Sequence, residues 1–261
     1  MSVLKADHIS IQFGGLRAVN DFSIDLNLGD IQAIIGPNGA GKTTVFNMLT
    51  GIYQPTEGTV YVNGKSMKGC KPYQFTAAGL SRTFQNIRLF NRSTVLDNVK
   101  MAYTFKMKYN FWEMLTRTGN YYSEEKRVTD EAMRLLEMFD LTYATDYFAN
   151  NLPYGEQRKL EIVRALATAP QALLLDEPAA GMNPNEIDDL VKLIRRIHDE
   201  MGIGILIIEH HMKMVMAIAD FIKVIDFGET ICEGSPSTVQ KDPKVIEAYL
   251  GRHANEGGSD K

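Results

Sequence analysis

The stretch GPNGAGKTT, residues 36–44, decides how the rest of the chain is read. It fits the pattern G-x-x-x-x-G-K-[ST]. It begins where IQAIIG (31–36), a short apolar run ending in glycine, reads as a strand buried on both faces, and from Gly41 to Leu49 the pattern turns helical. A strand, a glycine-rich turn and a helix in that order build an anion cradle. Gly36, Gly39 and Gly41 let the backbone curl so that N–H groups along the loop, through Asn38 and Ala40, point inward. The helix N-terminus adds its positive end. Lys42 then brings a point charge to the β- and γ-phosphates, Thr43 a hydroxyl suited to Mg²⁺, and Thr44 a further phosphate contact.

Outward from this loop the chain alternates strands and helices. Residues 3–12 and 21–28 alternate apolar and polar, as strands with one buried face do, and QPTEGTVYVNG (54–64) reads as turn, strand, turn. After a helical pattern at 156–168 comes ALLLDEP (172–178), a second buried strand. PNEIDDLVKLIRRIHDEM (184–201) is a helix with proline in its first turn, and GIGILIIEH (202–210) is a third buried strand. That order argues for an α/β fold with a parallel sheet and helices on its faces. Residues 94–148 read as mostly helical; within them the aromatics of 103–127 form either a docking surface or local core.

Two more strand ends carry chemistry. Asp176 is suited to hold Mg²⁺, and Glu177 is placed to polarise a water for in-line attack. His210 follows the third strand, and ligands of open α/β sheets gather at such ends, which makes it a candidate γ-phosphate contact.

The bulk properties narrow the classes. The 261 residues are 44% hydrophobic and 23% charged, with 28 Lys and Arg against 32 Asp and Glu. No basic tract stands out, so nucleic acid is not an expected partner. Cys70 and Cys232 make no metal-ligand spacing and read as buried or inert thiols in a reducing compartment. The N-terminus lacks the pattern of a signal peptide, and no stretch approaches the ~20 apolar residues of a membrane span. Any work at a membrane would use spans from other chains. The polar tail at 251–261 is expected to be disordered.

NNLPYGEQRKLEIVRAL (150–166) has an odd helix entrance, with no Ser, Thr or Asp directly before the helical pattern to cap it. Here the chain resembles the ATPase subunits of ABC transporters along nearly its whole length. In that family the corresponding entrance reads L-S-G-G-Q and docks on ATP held by a partner subunit. The resemblance implies a P-loop NTPase (RecA-like) core with an N-terminal antiparallel β subdomain. It implies one domain over 1–250 with a helical subdomain inserted at about 88–165. It assigns Phe13 to adenine stacking, Gln85 to Mg²⁺ and the attacking water near the membrane-domain contact, Asn183 to the loop after the acidic pair, and His210 to the switch position. Pro153, Tyr154, Gly155 and Glu156 fall on the signature segment.

FGGLRAVNDFS, RTFQNIRLF, DEPAAGMNP, IEHHMKMVM and VIEAYLG look like the larger ATPase of branched-chain amino acid importers. Importers of urea and other small solutes share much of this wording. The implied cofactors are ATP and Mg²⁺. The implied partners are a second ATPase chain, head to tail, membrane permease subunits and, indirectly, an extracytoplasmic solute-binding protein, with the chain on the cytoplasmic face of the membrane. Four departures stand out: Pro153 for serine, Tyr154 for glycine with Glu156 for glutamine, Asn183 for aspartate, and His211 after the switch histidine. An acid near a triphosphate is repulsive unless it turns away. Two rivals remain: a non-transport ABC ATPase, and a soluble P-loop kinase, which leaves 150–166 unexplained.

Overall fold

The computed structural model describes residues 1–104 and 119–256, and side chains to residue 249. The chain forms two units, Met1–Gln85 with Gln171–Lys261, and Asn86–Pro170 between them.

The first unit holds two sheets. Strands β1 (Ser2–Phe13) and β2 (Leu16–Asn27) form a long hairpin. β1 also pairs antiparallel with β4 (Glu57–Val62), which pairs with the short β5 (Lys65–Ser66). The second sheet runs β10-β9-β3-β8-β7-β6. Its parallel members are β3 (Ile31–Ile35), β6 (Leu80–Arg82), β7 (Ala172–Asp176), β8 (Gly204–Ile208) and β9 (Phe221–Asp226). β10 (Glu229–Gly234) closes one edge antiparallel to β9. All five residues of β3, of β7 and of β8 are buried, as their largely apolar runs predict.

Strand alternation explains why both faces are dry. Ile34 joins Leu174, Leu206 and Ile208 in a core shared with the antiparallel sheet and with Val45, Phe46 and Leu49 of helix α1 (Lys42–Leu49). Its neighbours Ala33 and Ile35 point the other way, into a cluster with Val215, Ala219, Val239 and Val245. Helix α6 (Pro184–Met201) buries Leu190, Ile194 and Ile197, one face at helical spacing, and stops at Gly202, whose φ of 61° suits a left-handed C-cap.

The second unit is helical. α3 (Val95–Ala102) is capped by Thr94, whose Oγ1 accepts from Asp97 N at 3.0 Å. α4 (Gly119–Met138) buries Glu124, Val128, Ala132 and Leu136 at four-residue spacing. α5 (Tyr154–Ala167) begins two residues ahead of the expected 156. In the aromatic stretch 103–127, Tyr103 is buried and Tyr122 exposed, while 105–118 lies outside the described residues. The subdomain was expected at 88–165 and the unit spans 86–170. Helix α9 (Pro243–Glu256) carries helical backbone into the stretch 251–261; 257–261 lies outside the described residues.

Candidate functional site

In the second sheet β3 lies beside β8, and β8 beside β7. The glycine-rich loop, Glu209–His210 and Asp176–Glu177 therefore leave adjacent strand ends. The loop needs its glycines for two different reasons. Gly36 has φ 152°, and a Cβ there would sit 2.0 Å from Ile225 O. Gly41 has φ 105° and is the N-cap of α1, with no side chain available to cap. The loop is also braced from outside. Gly228 N donates to Ala40 O at 2.9 Å, and Gly228 O accepts from Asn20 N of β2 at 2.8 Å. Lys42 is buried and folds back over the loop, donating to Gly36 O (2.7 Å) and Pro37 O (2.9 Å).

A cleft of about 520 Å³ opens over this loop, lined by Asn38 to Thr44, Gln85, Glu177, Leu16, Arg17, Ala18 and Phe227. All belong to the first unit. The amide of Gln85 donates to Glu177 Oε2 at 2.8 Å, so these two polar groups of the lining are paired with each other. Glu177 adopts φ 46°, a left-handed conformation that costs a non-glycine residue roughly 1 kcal/mol. Its N–H is held by Ile208 O at 2.9 Å, so the neighbouring strand β8 fixes the turn that presents the carboxylate.

Asp176 is 2% exposed and is not among the residues lining the cleft. Its Oδ2 accepts from Arg82 at 2.6 Å, and its N–H donates to Thr83 Oγ1 at 3.3 Å. Arg82 also donates to Asn47 Oδ1 (2.7 Å) and Thr50 Oγ1 (3.1 Å) on and just past α1, with its guanidinium over Phe46 and Phe84. Removing one partner of such a buried pair costs about 3–5 kcal/mol, because the other charge stays buried alone.

His210 and Asn183 do not line the cleft. His210 lies at the end of β8 with its ring 4.3 Å from that of His211. The residue behind it, Glu209, is fully buried. Glu209 Oε1 accepts from Ala179 N (2.9 Å), and Oε2 accepts from His210 N (2.8 Å) and His211 N (3.0 Å) and lies 3.0 Å from His211 Nδ1. Glu209, His210 and His211 have metal-ligand proximity, but the carboxylate is already used up by these donors. Asn183 caps α6: its Oδ1 accepts from Asn185 N and Glu186 N, and Glu186 returns a bond to Asn183 N at 2.8 Å. Phe13, expected at adenine, is not in the cleft lining; it stands edge-on to Tyr53 at 5.3 Å.

In the second unit Pro153 is the N-cap of α5 with no side-chain cap bond, as the odd entrance predicts. Glu156 turns to Tyr143, whose hydroxyl donates to it at 2.6 Å. That bond to a carboxylate raises the Tyr143 pKa to about 12. Tyr154 OH accepts from the buried Arg158 at 3.1 Å, and Arg158 pairs with Glu161 at 2.8 Å. The side chains of the segment are therefore engaged inside their own unit.

Sequence reading passed over Arg82 and Glu209. Both are charged residues at the end of a strand beside a functional one, and that position was their only signal. Leu16, Arg17 and Phe227 carried none, because each sits at a local hairpin turn and only tertiary packing brings the two hairpins, far apart in sequence, to one cleft.

Comparison with known proteins agrees with this geometry. The family model described as ABC transporter matches residues 19–180, and one described as Branched-chain amino acid ATP-binding cassette transporter matches 229–255. The high-affinity branched-chain amino acid transport ATP-binding protein BraF of Pseudomonas aeruginosa is 42% identical over 249 residues, 95% of this chain and 98% of that protein. LivG of Escherichia coli, with the same description, is 41% identical over the same shares. The probable LivG of Archaeoglobus fulgidus is 34% identical over 98% of both chains. A solved structure described as the ADP conformation of MJ1267, an ATP-binding cassette of an ABC transporter, superposes with a TM-score of 0.83 at 34% identity, covering 96% of this chain and 99% of that one. With motif, cleft and fold in agreement over nearly every residue, the chain belongs to the ABC transporter family of ATP-binding cassettes.

Proposed function

We propose that this cassette hydrolyses ATP to energise import of branched-chain or related amino acids. The observation that carries the hydrolytic reading is the cleft in which Lys42, Gln85 and Glu177 converge over the glycine-rich loop. The solute class rests on the relatives' descriptions and on the match at 229–255. Members of the family bind and hydrolyse ATP. In this chain the loop N–H groups from Gly36 to Thr44 and the ammonium of Lys42 receive the phosphates, and Phe13 meets the adenine. Lys42 exchanges its bonds to Gly36 O and Pro37 O for phosphate oxygens. Glu177 orients the attacking water, and His210 contacts the γ-phosphate.

Thr43, Asp176 and Gln85 offer an all-oxygen donor set, which fits Mg²⁺. When bound, Mg²⁺ neutralises charge on the β- and γ-phosphate oxygens. Gln85 is then a group with two uses, since the same amide that pairs with Glu177 would turn its oxygen to the metal. The Leu152–Gln157 segment of a second ATPase chain, a paralogue or a copy, covers the nucleotide. Pro153 has no hydroxyl to offer, so the donors there are backbone N–H groups near Gly155 at the start of α5. Asn183, engaged as a cap, sets the loop that meets the partner. ATP bridging two surfaces favours closure by differential contact. Closure passes to permease subunits near Gln85, at the cytoplasmic face of the membrane, beneath an extracytoplasmic solute-binding protein. No described helix is long and apolar enough to cross a membrane.

The test is phosphate release by the purified chain with and without Mg²⁺, across protein concentrations, beside Glu177→Gln. Specific activity that climbs with concentration and falls at least ~100-fold in the variant supports a site shared between identical chains. ATP binding with near-zero turnover at every concentration calls for reconstitution with a paralogous ATPase. Turnover in Glu177→Gln equal to the parent would end the reading of Glu177.

A further inference from the structure

Arg82 sits where three parts of the site meet. It ends β6, three residues before Gln85. Its side chain is 7% exposed, against 3% for its partner Asp176. One end of the guanidinium donates to Asp176 Oδ2 at 2.6 Å. The other end donates to Asn47 Oδ1 and Thr50 Oγ1, at 2.7 and 3.1 Å, so the helix that opens with Lys42 and Thr43 is tied to the acidic strand. Thr50 Oγ1 is itself oriented by donating to Phe46 O at 2.7 Å. The guanidinium also lies 5.5 and 5.1 Å from the ring centroids of Phe46 and Phe84, within cation–π range of both.

From this we infer that Arg82 is a positioning residue for Mg²⁺. It fixes the Asp176 carboxylate by taking Oδ2, which leaves Oδ1 to meet the metal. It also sets the distance between that oxygen and the Thr43 hydroxyl, because its second end is anchored on the same helix. A planar fork with two separated donors does this; a lysine ammonium, a single point charge, holds only one end. The inference rests on the reading of Asp176 as a metal ligand. Groups that orient a ligand from behind typically govern metal affinity by about 10–100-fold.

The experiment measures binding rather than turnover. A fluorescent, non-hydrolysable ATP analogue is titrated into the full chain in EDTA, and Mg²⁺ is then titrated into the nucleotide-bound chain. Arg82→Gln is expected to bind the analogue in EDTA within about twofold of the parent while its Mg²⁺ affinity falls by about 10–100-fold. Arg82→Lys is expected to lie between. Asn47→Ala leaves the ion pair intact and removes one anchor of the fork. It decides the matter if Arg82→Gln does not fold, and a severalfold loss of Mg²⁺ affinity is expected. Unchanged Mg²⁺ affinity in folded Arg82→Gln, or in Asn47→Ala, overturns the role of Arg82. Asp176→Asn separates the two readings: if it too binds Mg²⁺ like the parent, the metal assignment itself is lost.

Discussion

Replacing Glu209 by glutamine changes one atom type in a fully buried group, and the structure sets the cost. The carboxylate serves Ala179 N with one oxygen and His210 N, His211 N and the His211 ring with the other. A glutamine keeps a single acceptor. Its cheaper orientation puts that oxygen toward the histidines and aims the NH₂ at Ala179 N–H, donor against donor. A buried N–H left unpaired costs about 1–3 kcal/mol, and loss of charge assistance on the remaining bonds adds about 1 kcal/mol. The expected loss is therefore about 2–4 kcal/mol, a large share of a typical total of about 5–15 kcal/mol. In a chain of this size the melting transition of the unit carrying Glu209 drops by roughly 10 °C. Calorimetry reads it, with Glu200→Gln on the exposed Arg196–Glu200 pair as a control that moves by less than about 0.5 kcal/mol. A Glu209→Gln shift no larger than the control's would show that the four donors find other acceptors and that the carboxylate does not hold the turn.

Three more outcomes can be checked directly. Gly36→Ala places a Cβ against Ile225 O, so the loop must shift; nucleotide binding in a fluorescence titration falls at least tenfold, and parent-like affinity would contradict the close approach. Tyr143→Phe releases Glu156; stability changes by under about 1 kcal/mol because the pair is exposed, but phosphate release falls severalfold if Pro153–Glu156 covers nucleotide as proposed. Adding Glu156→Gln restores it, and failure of that rescue would refute charge repulsion as the cause. His198 has its pKa raised above 6.5, chiefly by the hydrogen bond to Gly29 O, with burial opposing and Asp199 adding to the rise. The sign follows: its contribution to stability is complete below the unfolded value near 6.5 and fades as pH climbs through the raised folded value. His198→Gln is therefore more destabilising at about pH 5.5 than at about pH 8.5 by denaturant unfolding, and equal losses at both would count against the shift.

How far the sequence could be read depends on the kind of interaction. The strands β3, β7 and β8 were legible because a strand buried on both faces must be apolar throughout, and IQAII, ALLLD and GILII are nearly so. The glycine-rich loop was legible because Gly36 and Gly41 are required by backbone geometry. The unusual entrance of α5 was legible as an absence, since a capped helix needs a side chain that Pro153 does not have. What escaped was pairing across long separations. Nothing local to Arg82 announces Asp176, 94 positions away, nor does Glu209 announce Ala179. The Tyr143–Glu156 bond gives that acid a partner 13 positions away, which the sequence around Glu156 does not announce. Asn183, placed with the nucleotide contacts by family likeness, turns out to have its side chain committed to a capping box whose spacing, N-x-x-E, was present in the sequence all along.

The brace formed by Gly228 carries a thermodynamic consequence. One residue bonds the glycine-rich loop through Ala40 O and the antiparallel sheet through Asn20 N. Folded chains open locally in cooperative pieces that amide hydrogen exchange can resolve. A ligand seated in the loop stabilises whatever must be folded for the loop to exist, by about 2.7 kcal/mol at a hundredfold excess over its dissociation constant. Nucleotide occupancy should thus slow exchange at Asn20 and along the β1–β2 hairpin, so that a ligand held by one sheet lends its binding energy to the folding of the other.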